Sequence, residues 1–326
     1  MATKEMKKIL VTGAVGQIGS ELTMALREKH GAENVLATGR KTAPSKELLE
    51  SGPFEYIDVA DKDSVEAVIK KYEIDTVYHM AAFLSAVGED KPWLCWDVNM
   101  NGLKNVLDLG VEHELTRIFV PSSIAVWGAG APLDMTPNET VLKPSTMYGV
   151  TKVAGELLAD YYVKRFGLDC RGVRYPGIVS HETLPGGGTT DYAVAIYYEA
   201  IKQGKYTCFV REDTVLPMMY MPDAIKATID LMEAPFENLK HWNDFNIAAM
   251  SFSVGELADS IRKVMPDFTC DYEPDSRQAI ADSWPNSIDD SVARAEWGWK
   301  PAYDLDAMTA DMLTELGKKQ EQGLLA

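Results

Sequence analysis

At 326 residues the chain has room for one large domain, or for a core domain with a smaller lobe. A hydrophobic fraction of 46% and a charged fraction of 25% are those of an ordinary globular protein, and a net charge of −17 argues against nucleic acid or an anionic membrane as the main partner. No run of about 18 apolar residues predicts a membrane span, residues 1–8 carry no signal-peptide pattern, and four scattered cysteines (Cys95, Cys170, Cys208, Cys270) form neither a metal spacing nor a disulfide framework, so buried thiols in a reducing cytoplasm are expected.

Residues 8–12 read as a buried parallel strand, apolar throughout rather than alternating. The strand runs into Gly13-Ala14-Val15-Gly16-Gln17-Ile18-Gly19 and a helix over 20–29. Glycines there permit a tight turn and the close approach of a pyrophosphate, which rests on the positive end of the helix dipole. Three spaced glycines alone are a weak signal, but directly after a first strand and opening a helix they mark a dinucleotide site. Gly13, Gly16, Gln17, Ile18 and Gly19 are the expected contacts. After a second strand at 34–38, a ribose-gripping carboxylate is expected roughly 20 residues beyond the glycines. Gly39-Arg40-Lys41 stands there instead. Arg40 packs on the adenine, meets a 2′-phosphate, or belongs to a solvated basic loop.

A third strand, 54–59, carries Asp58 and Val59 at its end. Asp58 either accepts from the adenine amino group or helps cap the helix that begins near Asp61. The fourth strand, 75–82, ends in Ala81 and Ala82, small residues where a cofactor crosses the sheet. His79 within it reads as a structural histidine, because no partner shares a metal-binding spacing. A helix over 92–112 carries Asn99 near its centre, in isolation a satisfied interior amide. The fifth strand, 117–121, delivers Ser122 and Ser123 to the crevice where doubly wound sheets bind ligands. A hydroxyl there holds a substrate oxygen, or the pair simply forms a turn.

Thr146-Met147-Tyr148-Gly149-Val150-Thr151-Lys152 opens the next helix, with Tyr148 and Lys152 one turn apart on one face. An ammonium beside a phenol favours its ionised form by roughly 1–3 pH units, and a phenolate near neutral pH can take the proton of an alcohol while hydride leaves the same carbon. The spacing alone is no proof: Tyr198 and Lys202 repeat it on what reads as an ordinary helix face. A sixth strand at 169–175 ends in Tyr175-Pro176-Gly177-Ile178, which turns the chain over the nicotinamide end. Beyond 178 the alternation breaks down: a glycine-rich loop at 185–192 covers a substrate or merely connects, 218–221 reads as core, and 223–233 as a helix. The expected architecture is α/β, a doubly wound parallel sheet of the Rossmann type over 1–178 with a smaller substrate-binding lobe over 179–326, segments around 205–234 returning to the first part.

With glycine loop, strand-end serine and Tyr–Lys pair in this order, and with Trp297-Gly298-Trp299-Lys300-Pro301 near the end, the chain resembles the extended short-chain dehydrogenase/reductases over nearly its whole length. The stretches GAVGQIGS from Gly13, PSSIAVW from Pro121, TMYGVTKVAGEL from Thr146, LPGGGTTDY from Leu184, PMMYMPD from Pro217 and AIADSWP from Ala279 are similar to those of the short-chain L-threonine 3-dehydrogenases. That resemblance implies NAD as cofactor and oxidation of the L-threonine β-hydroxyl to 2-amino-3-oxobutyrate. It implies Tyr148 as base, Lys152 as the group that lowers its pKa and holds the nicotinamide ribose, and Ser123 as the residue orienting the hydroxyl. It places Asn99 at the family's helix-centre asparagine and Ser85, Ser122, Thr189 and Trp284 around the amino acid. It further implies a homodimer formed through helices 92–112 and 148–165. No metal is expected. The rival readings are a nucleotide-sugar epimerase or dehydratase on the same core, which needs a large pocket rimmed by basic residues, and a dinucleotide-binding sensor without catalysis, which typically lacks the tyrosine or lysine.

Overall fold

The computed structural model describes residues 4–184 and 188–325. Six strands form one fully parallel sheet: β1 (Ile9–Thr12), β2 (Val35–Gly39), β3 (Phe54–Tyr56), β4 (Thr76–His79), β5 (Arg117–Phe119) and β6 (Cys170–Arg171), in the spatial order β3-β2-β1-β4-β5-β6. Successive strand residues point to opposite faces, so the continuous apolar strands supply two cores at once. Ile9 and Val11 of β1 pack with Leu22 and Leu26 of the helix Gln17–His30 and with Ala224, Ala227 and Leu231 of the helix Met221–Glu233. Leu10 faces the other way, toward Val65 and Ile69 of the helix Lys62–Tyr72 and Leu107 of the helix Gly102–Glu112. The strand order reverses between β1 and β4, and the crevice at their carboxyl ends is where a doubly wound sheet binds its ligand.

The strand expected over 169–175 is broken, and the one expected over 117–121 ends at Phe119. After Phe119 and after Arg171 the chain kinks and resumes as Ser122–Ser123 and Val173–Tyr175, which pair in parallel with each other, and Val173–Tyr175 pairs in turn with Phe245–Asn246. The kink sits at Gly172, where a Cβ would lie 2.0 Å from the carbonyl oxygen of Val120, an approach open only to glycine. The helix expected over 92–112 is likewise not uniform: Pro92–Trp96 and Gly102–Glu112 are joined through a π-helical turn, Asp97–Asn101, that contains Asn99.

Beyond Val179 a second group of elements covers the carboxyl edge. Val215–Tyr220 pairs in parallel with Gly177–Val179 and antiparallel with Met250–Ser253, while Lys205–Cys208 pairs with Thr269–Tyr272. Tyr192, Ile196, Leu216, Met218, Ile261 and Met312 build its core. Within 205–234, therefore, the helix Met221–Glu233 packs on the helix Gln17–His30, whereas Lys205–Cys208 stays with the covering elements.

A buried ion cluster ties that returning helix to the sheet. Asp169 accepts from Arg117 at 2.8 Å and from Arg171 at 2.7 Å, and both guanidiniums donate onward to carbonyls at the end of Met221–Glu233, those of Leu231 and Ala234 at 2.6 Å from Arg171. Cations at a helix C-terminus complement its dipole, and the carboxylate makes burial of two guanidiniums tolerable. Removing one member of a buried ion group typically costs about 3–5 kcal/mol. Asp169→Ala should lower the unfolding free energy by about that amount in urea titrations; a loss below about 1 kcal/mol would show that the cluster carries little of the fold.

Candidate active site

The crevice begins at the glycine loop. Helix Gln17–His30 starts at Gly16 with no side-chain cap and no acidic residue in its first turn, so its first amides and its positive dipole end face the crevice without a competing protein anion. A Cβ on Gly19 would lie 2.2 Å from the carbonyl oxygen of Gly13, so only glycine lets the loop fold this tightly against the helix. That is an anion cradle of the size and polarity a pyrophosphate needs, and it fits a dinucleotide.

From the cradle the crevice extends both ways. One chamber, about 820 Å³, is lined by Gly39, Arg40, Lys41, Asp58, Val59, Ala81 and Ala82. Arg40 lies 3.6 Å from Asp58, both side chains about two-fifths exposed, so the basic loop is faced by a carboxylate across this chamber. Asp58 also accepts from the Ala60 amide, while the cap of the following helix is Asp61. The other chamber, about 1060 Å³, is lined by Gln17, Ile18, Ser85, Ser122, Ser123, Tyr148, Lys152, Tyr175, Pro176, Ile178, Thr189 and Trp284. The two share Gly13, Gly16, Met80 and Ala82, making one continuous trough across the switch point. Tyr175 lines the trough while its hydroxyl pairs with Thr228 behind it.

The helix Met147–Phe166 supplies the chemistry. Its N-cap, Thr146, accepts from the Gly149 amide, and Gly167 ends it in the left-handed conformation. Lys152 Nζ donates to the carbonyl oxygen of Pro121 at 2.8 Å and lies 5.4 Å from the centre of the Tyr148 ring. The expected depression of the phenol by its lysine is not what the protein's own groups produce. Burial pushes Tyr148 up to about 12, with the Ser123 hydroxyl pulling the other way and Cys95 adding to the rise. Burial also brings the Lys152 ammonium down to about 8, opposed by Cys95 and Glu156. Desolvation outweighs attraction because both groups sit in one wall, where each charged form loses water.

Asn99 is a hydrogen-bonded interior amide. Its amide accepts from the Phe83 amide at 2.8 Å and donates to the Phe83 carbonyl at 3.1 Å and to Thr151 at 3.0 Å. It fastens the chain after β4 to the tyrosine helix, and it lines a smaller cavity with Ala81, Ala82, Pro121, Ser122 and Lys152. Ser122 lines the trough but donates its hydroxyl hydrogen to Glu156, leaving only its lone pairs for a ligand. Ser85 and Thr189, 104 residues apart, come together with hydroxyl oxygens 3.4 Å apart, and Trp284 is buried beside them. Pro185, Gly186 and Gly187 of the glycine-rich loop lie outside the described residues. His79 accepts or donates only to Thr12, at 3.1 Å, and burial holds it down to about 3, a neutral structural imidazole. Cys95, Cys170 and Cys208 are buried free thiols.

Three residues of this region escape a sequence reading. Glu156 and Arg174 form a bidentate pair, 2.8 Å in each arm, buried directly behind the trough. Its signal was present: Tyr148, Lys152 and Glu156 recur every four residues on one helix stripe. Asp191 lines the trough and accepts from the Gly188 amide at 2.8 Å; no local pattern distinguishes it.

Comparison with known proteins agrees with this geometry. The profile of the NAD dependent epimerase/dehydratase family matches residues 9–248. An uncharacterized epimerase/dehydratase of Staphylococcus haemolyticus is 49% identical over 97% of this chain and 99% of its own length. Among solved structures, the L-threonine dehydrogenase from Clostridium difficile is 55% identical with a TM-score of 0.95, covering 97% of this chain and 99% of that one. A monomeric L-threonine 3-dehydrogenase from a metagenome is 49% identical with a TM-score of 0.91, covering 95% and 99%. Sheet order, glycine cradle, Tyr148–Lys152 stripe and full-length likeness agree, and the chain belongs to the NAD dependent epimerase/dehydratase family.

Proposed function

We propose that this protein oxidises the 3-hydroxyl of L-threonine to the ketone of 2-amino-3-oxobutyrate, using NAD. The observation that carries the reading is the pocket opposite the Tyr148 phenol: Ser85 and Thr189 meet beside Trp284, and among the described residues lining that chamber the single basic side chain is Lys152. A small zwitterion can be held there by neutral hydroxyls, whereas the diphosphate of a nucleotide sugar calls for a basic rim. Full-length likeness to L-threonine dehydrogenases at 49–55% identity supports the same substrate.

When bound, NAD supplies the acceptor for the hydride that leaves C3. The cradle at Gly13, Gly16 and Gly19 with Gln17 and Ile18 would hold its pyrophosphate; Arg40, Asp58, Val59, Ala81 and Ala82 the adenosine half; Lys152, Tyr175, Pro176 and Ile178 the nicotinamide half. Ser123 orients the substrate hydroxyl, Tyr148 takes its proton, and Ser85, Ser122, Thr189 and Trp284 enclose the amino acid. Asn99 acts through the helix it clamps. Burial keeps the phenol protonated at neutral pH, so the base form grows as pH rises; turnover should increase with pH until Lys152, brought down to about 8, loses its proton, and a pH profile of NADH formation that falls from pH ~6 to ~8 would contradict this.

We also propose division of the chain into a nucleotide-binding part, 1–178 joined by Met221–Glu233, and a mainly substrate-binding part over 179–326, and a cytoplasmic homodimer. Trp93 and Leu157, 77% and 65% exposed, lie with Trp96, Val150 and Tyr161 on the two helices that would pair with a second copy. Light scattering should give about twice the 36.0 kDa chain mass for the wild type and the monomer mass for Leu157→Glu; a monomeric wild type would refute the pairing.

Two variants test the chemistry. Tyr148→Phe should reduce NADH formation from L-threonine by at least about a thousandfold, while NAD binding changes by less than about threefold; retained turnover would remove the phenol from its role. Gly19→Ala should weaken NAD binding by at least about tenfold in a fluorescence titration, because its methyl group displaces the Gly13 carbonyl; unchanged affinity would place the pyrophosphate elsewhere.

A further inference from the structure

The Tyr148–Lys152 stripe continues one turn further, to a carboxylate that the hydride-transfer chemistry itself does not use. Glu156 is buried behind the wall of the trough. Arg174 grips both of its oxygens at 2.8 Å and donates onward to the Asn138 carbonyl at 2.7 Å and to Asn246 at 3.2 Å, so the carboxylate is held by a guanidinium that is itself anchored. The same carboxylate accepts the Ser122 hydroxyl. One residue earlier in that strand, the Pro121 carbonyl receives Lys152. The helix thus grips the Pro121–Ser122 end of the strand at two successive residues, and the next residue, Ser123, is the one that faces the phenol.

We propose, resting on the reading of Tyr148 and Lys152 as the reacting pair, that Glu156 is a positioning residue: locked by Arg174, it fixes the strand end that presents Ser123 and keeps the neighbouring Lys152 charged on the Pro121 carbonyl. A carboxylate one helical turn from an ammonium in a wall short of water favours the charged amine more strongly than it would on a surface. Of the other groups around Lys152, Cys95 also favours the charged amine, while Tyr148 is a neutral acid held up by burial and His79 is neutral. Around Glu156 the facing groups are Arg174, which holds it, and Asp244, whose carboxyl burial raises.

Charge and reach can be separated. Glu156→Gln keeps the reach and loses the charge; Glu156→Asp keeps the charge and draws it back by one methylene from Ser122. In the cofactor-free protein, with 15N-labelled lysine, the Lys152 Nζ titration read by NMR should move down by about one pH unit in Glu156→Gln and stay in Glu156→Asp. Both variants should lose about tenfold or more in kcat for L-threonine with KM held within about threefold, the pattern of a misplaced reacting group rather than a lost binding contact. Should Glu156→Gln fail to fold, Ser122→Ala carries the second arm: kcat falls, and the Lys152 titration stays. An unmoved Lys152 titration in Glu156→Gln, or undiminished kcat in Ser122→Ala, overturns the proposal. Absence of any wild-type turnover with L-threonine would instead count against the substrate reading, since the titration needs no substrate.

Discussion

The ammonium of Lys152 rests on the carbonyl oxygen of Pro121, 2.8 Å away, and through that contact a helix and a strand end become one wall. Everything chemical in the molecule depends on this junction. The strand end exists because β5 and β6 break and resume over the edge of the sheet, and the helix faces it because Asn99, Thr151 and Phe83 fasten it from the opposite side. Two elements far apart in sequence are thereby held in one fixed relation, which is what a pair of reacting groups needs.

The wall is also an electrostatic device. A phenol, an amine and a carboxylate–guanidinium pair lie along one buried stripe, where losing water penalises each charge. Burial lifts the phenol and lowers the amine, so two groups with similar ordinary values are driven apart, each toward its uncharged form. A site so arranged responds strongly to any charge placed beside it. The uncapped helix start at Gly16 offers a positive dipole end at the other side of the same trough.

Much of this was legible in the residues because the signals were local. A glycine loop after an apolar strand, small residues at the end of β4 and a tyrosine four residues before a lysine each state their geometry within one turn or one strand. What was not legible depended on partners distant in sequence. Asn99 is a helix-centre amide in the sequence, but its partners Phe83 and Thr151 stand 16 and 52 residues away. The direction of the Tyr148 shift likewise rests on burial, a property of the whole packed wall, while the spacing to Lys152 reports only the nearest charge. The break at Gly172 needed the approach of Val120 from another strand before its glycine acquired a meaning. Arg174 looked like any strand residue until Glu156 was found against it.

The central claim is that hydride leaves C3 of L-threonine for the nicotinamide ring as the hydroxyl proton passes to Tyr148. L-Threonine carrying deuterium at C3 tests it directly, by mass spectrometry of the NADH formed. The account predicts one deuterium in each NADH released. NADH without deuterium, or deuterium retained in the amino acid while NADH accumulates, would contradict it.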